Sequence, residues 1–206
     1  GANTGVSVSE DSSLTYSTVY ACVRVLSESV ASLPINVLKK ESDGDRTNDI
    51  THPVYKLLAK KPNSYMTSFT WRQILMTNLV LNGNSFFKIE RDGNARPISL
   101  NYIHSDNVSC KLVDGELYYE TRGENSEIIS NENMLHFLGL GYDGIKGKSV
   151  IETHRDTIGL SIAANRYGGS FYGNAAAPSG ILSHPGKLSK EAAERLKYSW
   201  NSTYAG

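Results

Sequence analysis

The sequence has no surplus of either charge, few cysteines and no long apolar run. It carries 21 Lys plus Arg against 21 Asp plus Glu, and its densest basic spots are the pairs Lys39–Lys40 and Lys60–Lys61. Proteins that hold nucleic acid tightly usually have clustered basic residues in excess. No apolar run approaches the ~20 residues that span a bilayer, and we expect no signal peptide at the start. The composition therefore disfavours static nucleic-acid binding and membrane insertion.

Recognisable metal and nucleophile motifs are also missing. Cys22 and Cys110 lie far apart in the sequence, so we expect buried free thiols, as in a reducing cytoplasm, rather than a disulfide. The five histidines share no spacing typical of metal ligands. No Gly-x-Ser-x-Gly motif marks a hydrolase nucleophile. The sequence accordingly predicts no catalytic residue, no metal and no cofactor.

Helical periodicity is clear in the first part of the chain. The spacing predicts a helix over residues 15–33 with Val23, Leu26 and Val30 facing inward. A second helix begins after Thr67 or Ser68 and ends before Gly83. Its predicted buried residues are Phe69, Trp71, Ile74, Leu75 and Leu79.

The middle of the chain changes to the shorter period of strands. The Asp-Gly pairs at 92–93 and 114–115 are hairpin signals. Strands are predicted over residues 85–91, 98–103, 108–113, 117–122, 127–130 and 134–138. A long helix is then predicted over 149–171 with Ser149 as its N-cap, and a last helix has Ser189 as its N-cap. The fold class is therefore α+β.

The glycine-rich loop 139–149 raises the alternative of a nucleotide-binding enzyme. It follows a predicted strand, contains Gly147-Lys148-Ser149 and precedes a helix, which is the order of elements in a phosphate-binding loop. Such a loop needs a glycine five positions before Gly147, but Tyr142 stands there and Gly141 lies one position too early. The spacing favours a plain hinge between a strand and a helix. Nucleotide titration would separate an enzyme from a binding or structural protein.

An ordered series of segments resembles the portal protein, or head–tail connector, of tailed double-stranded DNA bacteriophages. No single motif is decisive, but the ordered set covers most of the chain from about residue 15. The segments that carry the resemblance are residues 16–26, 30–37, 52–58, 62–63, 81–91, 135–136, 147–149, 158–160, 171–174 and 178–182. A host DNA-binding or adaptor module that forms no ring remains a further alternative.

The resemblance implies a portal-like architecture. Residues 1–148 would form the body, or wing, from helices and short antiparallel strands. Residues 149–174 would be the first stem helix, and residues 175–206 the beginning of the clip. Family members continue with a second stem helix and a crown, so we expect this chain to be a fragment lacking the C-terminal part.

The resemblance also implies partners and a location. Portal proteins form rings, typically of twelve copies, at one capsid vertex of the virion after assembly in the host cytoplasm. Their partners are the terminase, the major capsid protein and head–tail adaptor proteins, and double-stranded DNA passes through without sequence-specific binding. They are not enzymes and bind no nucleotide at the glycine loop.

A candidate subunit interface lies near the end of the predicted stem helix. Small residues there offer a smooth surface that a neighbour's backbone can approach, and a ring requires contacts on two sides of each subunit. The candidate interface residues are Tyr167, Gly168, Gly169, Phe171 and Asn174. We expect this segment to be exposed in an isolated chain.

Overall fold

The computed structural model describes residues 7–123, 126–141, 143–173 and 185–204. These residues form two compact units. The first, called the body unit below, comprises Val8–Arg155. The second contains Ser7 and the described residues from Asp156 onward.

Among its described residues the body unit has five α-helical segments, besides two short 3-10 turns at Ser105–Asn107 and Asn131–Asn133. The five α-helical segments are α1 (Glu10–Leu14), α2 (Ser17–Ser32), α3 (Pro53–Tyr55, continuing as a π-helical turn Lys56–Lys60), α4 (Ser68–Asn82) and α5 (Val150–Thr153). The side chain of Thr67 accepts the N–H of Thr70 at the start of α4. At the other end Gly83 adopts φ +72, a left-handed conformation that costs glycine little and stops the helix.

In the part of the chain that the structure describes, eight strands form three antiparallel sheets. The strands are β1 (Leu38–Lys40), β2 (Arg46–Asn48), β3 (Asn84–Arg91), β4 (Pro97–Ile103), β5 (Val108–Val113), β6 (Glu116–Thr121), β7 (Ile128–Ser130) and β8 (Met134–Leu138). β1 pairs with β2, β3 lies between β4 and β8, and β6 lies between β5 and β7. The tight β5–β6 turn places Asp114 at φ 52 and Gly115 at φ 84, as the mirror-image hairpin turns require.

Two adjacent phenylalanines on β3 anchor two separate cores. Successive side chains of a strand point to opposite faces. Phe87 therefore packs with Trp71 and Leu75 of α4, whereas Phe86 packs with Tyr119 of β6 and with the core on the other face. Phe86 and Phe87 are 1% and 0% exposed. β3 thus ties the helical layer to the second three-stranded sheet.

The predicted fold class is confirmed, since helices and antiparallel strands are mixed in the body unit. The strands at Val108–Val113 and Met134–Leu138 have the predicted bounds. The long helix predicted over 149–171 is interrupted: α5 ends at Thr153, and His154 has φ −107 and ψ 21. A new helix, α6 (Arg155–Gly173), then begins.

The predicted inward face of α2 is wrong in part. Val23 is buried, but Leu26 is 46% exposed and Val30 is 36% exposed. The buried stripe instead continues through Ser27 and Ala31, because α2 packs closely on α4 and small side chains permit that approach. Phe69 of α4 is also exposed, contrary to prediction, while Trp71 and Leu75 are buried.

The two cysteines are free thiols, but they are not both buried as predicted. Cys22 is exposed on α2, and Cys110 on β5 is half-buried. Loss of solvent around Cys110 raises the pKa of its thiol, because burial disfavours the charged thiolate.

The second unit contains α6 from Asp156 onward and α7 (Lys190–Tyr204). Ser189 accepts the N–H of Ala192 at 3.2 Å, which confirms its predicted place at the N-terminus of α7. Within the described ranges, no helix is long and apolar enough to cross a membrane.

Candidate functional site

The glycine loop ends in a junction where three backbones meet. The N–H of Gly139, just after β8, donates to the carbonyl oxygen of Gly83 at 2.8 Å. A Cβ built on Gly147 would overlap the same carbonyl and lie 2.7 Å from the Gly139 nitrogen. The close approach therefore requires glycine at position 147. We call Gly83, Gly139 and Gly147 the glycine junction.

Asn84 holds the junction together from a fully buried position. Its Oδ1 accepts the N–H of Gly147 at 2.8 Å, and its Nδ2 donates to the Gly147 carbonyl at 2.9 Å. Nδ2 also donates to the carbonyl of Asn82 at 3.2 Å, and Oδ1 contacts Nε2 of His136 at 3.1 Å. Both donors and both acceptor positions of the amide are therefore in use. A buried amide with all its hydrogen bonds made fixes its surroundings firmly.

Ser149 links the same junction to the helix that follows. Its hydroxyl donates to the carbonyl of Leu81 in α4 and accepts the N–H of Glu152 at 3.0 Å. Ser149 is therefore the predicted N-cap, and it also connects α5 to the last turn of α4. The start of the helical segment after the loop is fixed by hydrogen bonds to the body unit.

The described loop residues do not form a phosphate cradle. The carboxylate of Asp143 accepts the N–H groups of Ile145 and Lys146 at 2.8 and 2.9 Å, and these bonds hold its pKa below the usual range. Asn84 occupies the N–H of Gly147, and the N–H of Lys148 donates to Leu140. A phosphate loop needs such N–H groups free for the anion. The nucleotide-binding alternative is therefore not supported.

His136 extends the network of Asn84 to the second sheet. Because Oδ1 of Asn84 is an acceptor, Nε2 of His136 carries the proton and Nδ1 is left to accept. The hydroxyl of Tyr119 lies 3.3 Å from that Nδ1, and Phe86 stacks on the ring with centroids 4.2 Å apart. Burial lowers the pKa of His136 to about 4 and raises that of Tyr119 to about 12. Both groups are neutral near pH 7.

Most of the candidate interface residues lie together on the last turns of α6. Tyr167 and Phe171, one helical turn apart, stack with centroids 6.3 Å apart and an interplanar angle of 16°. Tyr167 is 75% exposed and Phe171 is 44% exposed. A Cβ on Gly168 or Gly169 would meet nothing within 4 Å. Asn174 lies outside the described residues.

Sequence reasoning missed the residues that organise the junction. The sequence predicts Gly83 only as a helix end and His136 only as a structural or surface histidine, and it predicts no role for Asn84. The sequence contains one weak signal of this junction. Gly83-Asn84 directly follows a helix, and a cluster of glycines follows β8. In the described part of the chain no group of three metal-ligating side chains is present.

Comparison with known proteins gives consistent matches to portal proteins. The family model described as phage portal protein matches residues 17–206. The chain is 29% identical over 187 residues to the portal protein of Enterobacteria phage HK97, covering 90% of this chain and 44% of that protein. It is 26% identical over 219 residues to the probable portal protein of Streptomyces phage phiC31, covering 100% of this chain and 47% of that one. The chain thus spans less than half the length of these relatives.

A solved structure agrees in fold. The crystal structure of an HK97 family phage portal protein from Corynebacterium diphtheriae superposes with a TM-score of 0.66 at 18% identity. The match covers 97% of this chain and 62% of that chain. Because the family model covers almost the whole sequence, this chain belongs to the phage portal protein family.

Proposed function

We propose that the protein is a subunit of a portal ring that conducts double-stranded DNA at one vertex of a phage capsid. Copies surround a channel through which the genome enters during packaging and leaves during ejection. Family membership supports this function. The observation that carries it is the exposed aromatic pair Tyr167 and Phe171 beside the bare backbone of Gly168 and Gly169.

Each region has a proposed place in the ring. Residues 1–148 form the body or wing, residues 149–174 the first stem helix and residues 175–206 the start of the clip. The glycine junction supports this assignment, because hydrogen bonds from Asn84 and Ser149 fix the chain where the body ends.

The subunit contact is proposed on the last turns of α6. Exposed aromatic side chains in contact with each other are typical of surfaces that are covered by a partner. The open Cβ positions of Gly168 and Gly169 leave room for the backbone of a neighbouring copy. The interface comprises Tyr167, Gly168, Gly169, Phe171 and Asn174, and a ring of twelve copies repeats it head to tail.

The remaining partners follow from the same function. A conduit must let DNA slide, and equal numbers of basic and acidic residues avoid a uniformly attractive surface. The protein itself catalyses nothing and requires no cofactor. The terminase supplies the energy of packaging, while the major capsid protein and head–tail adaptor proteins contact the ring in the virion.

The test is assembly of the complete gene product with Gly168→Leu. A leucine fills the space that the neighbouring backbone requires, so we expect negative-stain images to show few closed rings. Gly93→Leu is the matched control, since this glycine also faces open space but lies in the β3–β4 turn of the body. We expect normal rings for that variant.

Two outcomes would argue against the assignment. Normal rings with Gly168→Leu would remove α6 from the subunit interface while leaving the portal function open. Absence of rings from the unsubstituted complete protein, in the presence and absence of DNA, would contradict the portal function itself. Circular dichroism of both variants checks that the fold is retained.

A further inference from the structure

A cleft on the body unit is lined by none of the three glycines of the junction. It has a volume of about 800 Å³ and runs between the loop before α3, the π-helical turn and the start of β4. The lining residues that define its chemistry are Ile50, His52, Lys56, Lys61, Pro97 and Ile98. The proposed portal function assigns no role to this cleft.

The charged groups that line the cleft are basic. Lys56 and Lys61 are exposed, and none of the side chains lining the cleft is a carboxylate. The backbone N–H of Lys61 donates to the carbonyl of Lys56 at 2.9 Å. The π-helical turn therefore brings the backbones of these two lysines together, although they are five positions apart in the sequence. Within the described residues neither ammonium group forms an ion pair. The two positive charges are therefore available to an anionic partner.

Asp49, which precedes the cleft-lining Ile50 in the sequence, makes its hydrogen bonds within the loop before α3. Oδ1 of Asp49 accepts the hydroxyl of Thr51 at 2.6 Å and the backbone N–H groups of Thr51 and His52 at 3.0 Å each. The His52 ring in turn accepts the N–H of Val54 at 3.2 Å. Asp49 and His52 are thus engaged in shaping the loop before α3.

Aliphatic side chains stand beside the two lysines. Ile50 is 67% exposed and Ile98 is 55% exposed. Ile98 is the extra residue of a bulge in β4, because Glu90 pairs with Ser99 and the next residue, Arg91, pairs with Pro97. A bulge redirects a side chain relative to its strand, and here Ile98 lines the cleft. The cleft therefore combines two cationic groups with exposed aliphatic surface.

We propose that this cleft binds an acidic, aliphatic peptide segment of a partner protein. Carboxylates of the segment pair with Lys56 and Lys61, and its leucine- or isoleucine-type side chains cover Ile50 and Ile98. Nucleic acid fits this surface less well, since no Phe, Tyr or Trp side chain lines the cleft to stack on a base, and the ring of His52 is engaged by the N–H of Val54. Charge complementarity and the aliphatic lining thus select the partner's chemistry.

The test is fluorescence anisotropy of the full chain with a short labelled peptide of alternating leucine and aspartate. We expect binding that weakens about tenfold, or 1.4 kcal/mol, in Lys56→Glu/Lys61→Glu. It should also weaken in Ile98→Ser, which leaves the charges in place. Lys39→Glu/Lys40→Glu is the matched control, because it reverses two adjacent lysines on β1, outside the cleft. That variant should bind like the unsubstituted chain.

Three results would overturn the proposal. The first is that the Lys56→Glu/Lys61→Glu variant binds the peptide with the same affinity as the unsubstituted chain. The second is that a labelled single-stranded oligonucleotide binds more tightly than the peptide and competes with it. The third is that the peptide does not bind at millimolar concentration and low ionic strength. A peptide with lysine in place of aspartate should not bind. Because ring assembly is not measured, these results do not depend on the portal function.

Discussion

Asn84 and Gly147 are joined by a reciprocal pair of hydrogen bonds across 63 positions of sequence. The N–H of Gly147 donates to the side-chain oxygen at 2.8 Å, and the side-chain nitrogen donates to the Gly147 carbonyl at 2.9 Å. The Asn84 side chain thus makes the same pair of hydrogen bonds to the Gly147 backbone that a residue of a neighbouring strand would make.

Asn84→Leu should destabilise the body unit by at least about 2 kcal/mol. Leucine has a similar volume but leaves the Gly147 backbone and Nε2 of His136 without partners in a buried site. Urea denaturation followed by circular dichroism measures the loss. Asn94→Leu is the control in an exposed turn and should change stability by less than about 0.5 kcal/mol. Equal effects of the two substitutions would contradict the role given to Asn84.

Gly147→Ala should cost about 3 kcal/mol or more, because its methyl group meets backbone rather than a flexible side chain. The expected structural change is separation of the loop from Gly83. Hydrogen exchange at the Gly139 amide, which donates to Gly83, should then accelerate. Gly93→Ala, where the added Cβ meets nothing within 4 Å, should leave both stability and exchange unchanged. Retention of full stability by Gly147→Ala would show that the junction is looser than described.

Stability should fall with acidification through the titration of His136. Its folded pKa of about 4 lies below the usual 6.5. Between these values the unfolded chain binds a proton that the folded protein does not, so the free energy of unfolding falls as pH falls. Above about pH 6.5 this residue adds no pH dependence. Below about pH 4 its contribution is fully lost and changes no further.

His136→Gln isolates that contribution. Denaturation of both proteins at several pH values should give a shallower decrease for the variant between about pH 6.5 and pH 4. His104→Gln is the control, since the His104 side chain is 52% exposed, and it should retain the steeper decrease. Parallel curves for His136→Gln and the unsubstituted chain would mean that His136 is not held neutral by burial.

Leu26→Ala should destabilise the isolated chain by less than about 1 kcal/mol, because Leu26 is 46% exposed. Leu75→Ala should cost about 2–5 kcal/mol, since that leucine is 8% exposed within the core of α4 and β3. The comparison uses the same chemical change at two helical positions. A large decrease in the free energy of unfolding of Leu26→Ala would instead support the inward orientation that helical periodicity predicts for Leu26.

The sequence by itself determined the local elements and the family. A hairpin turn, a helix N-cap and the alternation of apolar and polar residues in a strand each depend on residues that are neighbours in the sequence. For that reason β5, β8 and the N-caps Ser149 and Ser189 are predicted correctly. The spacing before Gly147 was enough to disfavour a phosphate loop. The ordered set of portal-like segments gave the family, and the family model confirms it.

Only the tertiary structure decided which side chains are covered and which distant residues meet. Helical periodicity marks an apolar face, but close packing of α2 on α4 selected Ser27 and Ala31 for burial and left Leu26 exposed. The contact of Asn84 with Gly147 has no local signal, because the hydrogen bonds join the first residue of β3 to a loop 63 positions later. The position of Gly147 and of the N-cap Ser149 within the body unit depends on such non-local hydrogen bonds.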